Sequence, residues 1–418
     1  MKRVFAIILI LIIFISGLGV FSVFADEESA PELFFAADFL EEFVTQYPNR
    51  YCGTKGEENA AQFLSDEFKK IGYTPFNSDG SYLQNFSFTS SGKPYNSQNV
   101  IMTKESLNDS KKTVIIGAHY DNAYSLPEGK NEDEYKFQGA YDNGTGVAVL
   151  MDLAYKLKNV ELDFNIVFIA FGGEELLAKG SEHYASSLSK EEAQNILIMF
   201  NLDVIGAGDK LYLYCDEVDT LHEKFLLQTA DDLAVSVNLP PIDKHIEVNE
   251  VGDMPYKHIG FLSDNLPFLT RGINCAFFFT YNWEHGLSES SNNSTIIHKE
   301  TDNMETLESL YKDTYKNFMT NVSDIIFAAV SESDFEKTMI LSFENKFEYR
   351  IFFNKFLVWG VAFGVLLGLG VLVYFTYRKM DKQNLPEIIE GDPFNKSDGP
   401  FSGDDADNSV FGREFEKK

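Results

Sequence analysis

The stretch TVIIGAHYD, residues 113–121, sets the reading of this chain. Thr113–Ala118 is a short, uncharged apolar run, which suits a strand buried on both faces. It stops at His119, Tyr120 and Asp121. The same arrangement recurs downstream. Asn165–Phe171 runs through Gly172-Gly173 into Glu174-Glu175, and Asn195–Val204 contains a third apolar run that meets Asp203. Leu211–Cys215 and Cys275–Tyr281 read as further buried strands. Helical spacing fills the intervals at Gly146–Leu157, Leu221–Leu233 and Met304–Val330, and precedes them at 32–47 and 57–71. Asp79-Gly80 and Ser91-Gly92 are turn signals around a strand at Tyr82–Thr89. Continuous apolar strands alternating with helices predict an α/β fold: a mostly parallel central sheet covered by helices on both faces.

The ligand crevice of such a sheet lies at the carboxyl ends of its strands. Three strand ends therefore bring an imidazole and several carboxylates to one place. GAYDNGTG (139–146) adds Asp142 in a glycine-rich turn that opens a helix. Each piece is weak alone. An HxD triplet is usually a surface turn, paired glutamates usually belong to a solvated helix face, and DNGTG is usually a turn with an Asx cap. Asp203 within NLDVI is harder to dismiss, because a buried unpaired carboxylate is costly and calls for a cation or several donors.

Order and context together are more specific. GAHYD (117–121), GAYDNGTG (139–146), FGGEE (171–175) with GSEHY (180–184), NLDVIG (201–206), SDNLPF with RGI (263–273) and IHKETDN (297–303) resemble the co-catalytic zinc exopeptidases of the bacterial leucyl aminopeptidase, aminopeptidase S and aminopeptidase Y type. Glutamate carboxypeptidases and glutaminyl cyclases are relatives. The resemblance runs from about Phe34 to Val330, with Arg50, Gly53-Thr54 and Ser97–Ile101 matching in style. It implies two zinc ions per chain. His119 and Asp203 are the implied ligands of the first, Glu175 and His298 of the second, and Asp142 bridges both. Asp121 is the implied carboxylate orienting His119, and Glu174 the general base. Imidazole nitrogen and carboxylate oxygen are donors that zinc takes. His285 competes with His298 within the same loop but lacks the IHKETDN context. Asn265 stands where relatives commonly carry His, and Ile297 where some carry a Tyr that stabilises the oxyanion. Tyr281 is the substitute candidate for contact with substrate.

Composition bounds the rest. Lys+Arg is 35 against Asp+Glu 64, a net charge of −29, which argues against a nucleic-acid partner. The three cysteines are too few for a disulfide scaffold. Two charge-free apolar runs of 22 residues stand at Val4–Ala25 and Phe356–Tyr377. The first follows Lys2-Arg3 and ends with Val23 and Ala25, which fits a signal peptide or an uncleaved anchor. The second is long enough to cross a bilayer and is followed by Arg378-Lys379. The expected organisation is a signal peptide or anchor (1–25), a zinc exopeptidase domain (26–330), a stalk (331–355), a transmembrane helix (356–377) and a disordered cytoplasmic tail (378–418). The expected function is a cell-membrane, single-pass metalloexopeptidase with its catalytic domain extracytoplasmic, contacting lipid through the C-terminal helix. It removes N-terminal residues from peptides with a free amino terminus. The alternatives are a glutaminyl-peptide cyclotransferase and, against the completeness of the site, a non-catalytic receptor or adhesion module on the same fold.

Overall fold

The structure is a computed structural model that describes residues 35–123, 136–208, 210–215, 220–240, 263–281 and 296–344. The two apolar runs 4–25 and 356–377, the tail, and His245, His258 and His285 lie outside the described residues. Among the described residues no helix is long and apolar enough to cross a membrane.

Among the described residues nine strands form one sheet: β1 (Thr74–Pro75), β2 (Leu83–Ser90), β3 (Lys93–Lys104), β4 (Thr113–His119), β5 (Asn165–Phe171), β6 (Ile196–Leu202), β7 (Lys210–Cys215), β8 (Val237–Asn238) and β9 (Cys275–Tyr281). Their order is β1-β3-β5-β4-β6-β9-β7-β8, with β2 also paired to β3. Helices flank it, among them α1 (Phe35–Gln46), α2 (Lys55–Ile71), α3 (Thr145–Lys156), α4 (Lys179–Ser187), α5 (Lys190–Asn195), α6 (Leu221–Asp232), α7 (Leu266–Thr270) and α8 (Lys312–Ser331).

Both faces of the central strands are covered, which is why β4, β5 and β6 are apolar at nearly every position. Val114, Ile116, Phe168 and Phe200 pack with Phe43 of α1, Leu64 of α2, Leu150 of α3 and Val322 of α8. Ile115, Ile169 and Met199 point the other way, onto Tyr184 of α4 and Phe268 of α7. β5 lies on one side of β4 and β6 on the other, so the chain winds outward in both directions from β4. The crevice at such a switch point opens between the carboxyl ends of β4 and β6. Those ends carry His119 and Asp203.

The sheet is mixed rather than mostly parallel. The core order β5-β4-β6-β9 and the β7/β8 pair are parallel, while β3 runs antiparallel to β1, β2 and β5, and β7 antiparallel to β9. Connection length accounts for the β2/β3 pair, because a parallel neighbour needs a crossover of a dozen or more residues. β2 turns into β3 through Ser91 and Gly92, at φ 50° and 75°, the two left-handed residues of a tight hairpin. Two other expectations are corrected. The final helix is interrupted: Met304–Thr306 passes through a π-helical turn, Leu307–Tyr311, before α8 begins at Lys312 with φ 32°. Packing also continues past Val330. Residues 335–344 are helical, and Phe335 and Met339 are wholly buried in the main core, so these residues belong to the domain rather than to a stalk. No disulfide joins any of Cys52, Cys215 and Cys275, all of which are among the described residues.

Candidate metal centre

The functional side chains are positioned by main-chain features that the sequence dictates locally. His119 is the last residue of β4, and its Nδ1 lies 3.2 Å from the Asp121 carbonyl oxygen. Donation there leaves Nε2 facing Asp203 Oδ1 at 3.1 Å and Asp142 Oδ1 at 3.3 Å. The Asp121 carboxylate stands farther from Nδ1, at 3.7 Å. Its oxygens accept from the main-chain N–H groups of Glu174 (3.1 Å) and Glu175 (3.3 Å). Asp121 therefore fixes the glutamate turn with its side chain and the imidazole with its main chain.

Asp142 sits in the kinked turn Ala140–Gly144 that leads into α3, with non-helical main-chain angles of φ −115° and ψ 95°. A Cβ on Gly146 would come within 2.3 Å of the Leu202 carbonyl, so this turn reaches the end of β6 only because that position is glycine. Asn143 fastens the approach, donating to the Leu202 carbonyl (2.8 Å) and accepting from Gly146 N (3.0 Å) and Val204 N (3.2 Å). His298 arrives from the loop before Met304 with φ 56°. Its Nε2 lies 2.9 Å from Asp142 Oδ2 and 3.5 Å from Glu175 Oε2. Each oxygen of Asp142 thus meets a different histidine. The donor atoms form overlapping sets: His119, Asp142 and Asp203; Asp142, Glu175 and His298; and His119, Glu174 and Glu175, each within 4.8 Å of one another. His298 is 55 % exposed against 1 % for His119, so the centre opens to solvent on the His298 side.

The electrostatics call for cations. Burial, only partly offset by His119 and reinforced by Asp264 and Asp203, raises Glu174 well above the usual carboxylate range. Burial and the carboxylates of Asp142 and Glu174 do the same to Glu175. Asp264 is pushed up to about 7, chiefly by burial. Burial opposes ionisation of Asp142 as well, but hydrogen bonds with both imidazoles hold it below the usual range. His298 is raised by its hydrogen bond to Asp142. Burial works against the charged form of His119, yet Asp203 and Glu174 raise it well above its ordinary value. Glu175 Oε1 is buried with no hydrogen-bond partner. Crowded carboxylates, two imidazoles and an orphaned acceptor form a donor set that suits zinc.

Tyr281 is not brought into these sets. It ends β9, half-buried against the aromatic cluster of Tyr212, Phe277 and Phe279. His183 stacks on Phe86 with ring centroids 5.0 Å apart, and His222 pairs with Ser342 Oγ at 2.7 Å. Two supporting residues had no role assigned from sequence. Ser263 donates to Asp203 Oδ2 (2.8 Å) and accepts from Asn201 Nδ2 (2.9 Å). Asp302, wholly buried, accepts from Tyr141 N (2.6 Å) and Asp142 N (3.0 Å). Both lie within quoted motifs, SDNLPF and IHKETDN, which is the signal that marks them.

Comparison with known proteins matches the model of peptidase family M28 to residues 99–326, more than half of the chain and every residue of the donor sets. The chain belongs to peptidase family M28. Among M28-like relatives, Aminopeptidase YwaD of Bacillus subtilis is 29 % identical over 240 residues, covering 57 % of this chain and 45 % of that protein. The chain spans about half the length of the curated relatives it matches. The solved structure of a zinc aminopeptidase from Bacillus subtilis superposes with TM-score 0.53 at 19 % identity, over 71 % of this chain and 96 % of that one. A glutaminyl cyclase of Porphyromonas gingivalis gives 0.52 at 19 % identity, over 71 % and 96 %. At such identity these two show the shared fold. M28 membership implies zinc, and the donor chemistry of the site agrees with it.

Proposed function

We propose that this chain is a two-zinc aminopeptidase. The observation that carries the reading is the division of Asp142 between the two histidines, which gives two three-residue donor sets with one shared carboxylate. His119, Asp142 and Asp203 would hold one ion; Asp142, Glu175 and His298 would hold the other. Bound there, zinc supplies a Lewis acid and a water of lowered pKa. Glu174 lies beside both sets without being needed by either. It takes the proton of the attacking water and returns it to the leaving amine. Asp121 fixes Glu174 through its main-chain N–H.

The amino end of a peptide is proposed as the substrate on the likeness to Aminopeptidase YwaD, since two zinc ions would offset the charge of the carboxylates that hold them. Chelator-treated protein should hydrolyse aminoacyl-anilides only after zinc is restored. A peptide with N-terminal Gln separates the second reading, a cyclotransferase: ammonia released without free Gln would overturn the peptidase assignment.

The localisation proposal rests on sequence. Val4–Ala25 acts as signal or anchor and Phe356–Tyr377 as the membrane span, with residues 26–355 outside the cell. Protease added to intact cells should remove the catalytic domain and spare the tail. The opposite pattern would defeat this topology.

A further inference from the structure

Arg50 is wholly buried, yet none of its hydrogen bonds among the described residues reaches a carboxylate. All four go to main-chain carbonyls. Nε donates to Tyr120 O (2.6 Å), Nη1 to Tyr47 O (2.9 Å) and Gln138 O (2.7 Å), and Nη2 to Gly139 O (3.1 Å). The guanidinium carbon lies 4.7 Å from the centroid of the buried Phe43 ring. Tyr120 stands between His119 and Asp121. Gln138 and Gly139 lead into the turn that bears Asp142, and the Gly139 carbonyl also receives Gly144 N at 3.0 Å, closing that turn. The main chain around Arg50 repeats the pattern. Asn122 N donates to Arg50 O (3.2 Å), Asn49 N to Phe137 O (2.8 Å), and Phe137 N to Asn49 Oδ1 (2.7 Å).

We propose that Arg50 is a positioning residue for the metal centre: its planar fork sets the separation of His119 and Asp142 by holding the main chain beside each. The inference rests on the two-zinc reading above. His119 and Asp142 belong to different segments, and among the described residues Asn49 and Arg50 bond to the main chain flanking both. A guanidinium carries five N–H donors in one rigid plane, so it spans separate carbonyls that a tetrahedral ammonium cannot reach together. Charge alone is a poor account of it. Its electrostatic partners Asp302, Asp121 and Asp142 act at a distance, while its N–H groups are committed to neutral acceptors. A misplacement of about 1 Å at a catalytic centre costs about 10²-fold in rate, which is the scale expected here.

The test is Arg50→Lys, which keeps the charge and loses the span, in the full chain loaded with Co²⁺ as a spectroscopic stand-in. Wild-type protein should take up two equivalents, with magnetic coupling between them through Asp142. Failure of the wild type to bind two would defeat the two-metal reading, and the proposal with it. If two bind, Arg50→Lys should show an altered d–d spectrum and coupling, at least about tenfold weaker uptake of one equivalent, and kcat lower by about 10²-fold with KM within a few-fold. A Lys variant with wild-type spectrum and kcat would overturn the proposal, because charge would then suffice. Loss confined to KM or to melting temperature, with the spectrum unchanged, would also overturn it. Phe43→Leu removes the ring beside the guanidinium and leaves every hydrogen-bond partner. Should Arg50→Lys not fold, Phe43→Leu decides: a changed cobalt spectrum with lower kcat supports the clamp, and wild-type values in both overturn it.

Discussion

Replacing Asp302 by Asn should loosen the centre without removing any donor from it. The carboxylate accepts the consecutive N–H groups of Tyr141 and Asp142 on separate oxygens, from a wholly buried position. Asparagine keeps one oxygen and turns an NH₂ donor against the other N–H. Hydrogen bonds to a charged group contribute about 1.5–3 kcal/mol, and a buried N–H left unpaired costs about 1–3 kcal/mol. With partial relaxation of the turn, the total is about 2–4 kcal/mol. That energy can surface in two places. If the metal-free turn stays in place, the melting temperature of metal-free protein falls by about 5–15 °C, at about 2–4 °C per kcal/mol for a domain of a few hundred residues. If the turn relaxes before metal arrives, zinc must reorder it, and its Kd rises by about 30- to 1000-fold. The assay is thermal unfolding of metal-free and zinc-saturated protein, with zinc affinity from chelator competition. It should be run near pH 8, above the value of about 7 to which burial, then the Asp142 carboxylate, push Asp302. If both the metal-free melting temperature and the zinc affinity of Asp302→Asn stay within about 0.5 kcal/mol of wild type, Asp302 does not hold the Asp142 turn.

Asp142→Asn should lose both zinc ions, because one side chain serves both sets; elemental analysis near one equivalent would refute the bridging role. Glu174→Gln should retain zinc while kcat falls about 10²–10⁴-fold, whereas Glu175→Gln should lose zinc; the reverse pattern exchanges base and ligand. The pH dependence has a definite sign. Asp264 and Asp302 are pushed up to about 7, chiefly by burial, and ionise near 4 when unfolded. Between about pH 4 and 7 the folded state keeps protons that the unfolded state has released, so metal-free stability should fall as pH rises. Urea midpoints at about pH 5 and pH 8 check this, and a midpoint rising with pH in metal-free protein would contradict it; zinc should flatten the dependence.

His119, Glu174, Glu175 and Asp203 stand where apolar strands stop, which drew them to one crevice, but each was weak alone and its role came from the motif resemblance. Asp142 and His298 needed the motif resemblance, since neither lies at a strand end, and the structure brings both to the same carboxylate cluster. The edges of the sheet were not legible. β3 reads KPYNSQNVIMTK, polar in its first half where it pairs only with β2 and buried only from Ser97 onward, so no single period runs through it. The break at Leu307–Tyr311 leaves the helical apolar spacing intact, so nothing in the pattern marks it. Residues 335–344 carry their buried positions on one helical face amid charged residues, the signature of a stalk as much as of a docked helix. Asp302 and Arg50 act on main-chain atoms, which have no sequence signature of their own.

The Asp302 contact also says when this protein can begin to act. Tyr141 and Asp302 are 161 residues apart in the chain. At a synthesis rate of about 5–20 residues per second, the second emerges roughly 8–32 s after the first. Within that interval, once Asp203 has been made, His119, Asp142, Glu175 and Asp203 exist, but His298 and the carboxylate that steadies the Asp142 turn do not. A nascent chain at that stage carries the His119, Asp142 and Asp203 set but lacks His298 of the other. The two donor sets are therefore complete only once nearly the whole domain has left the ribosome.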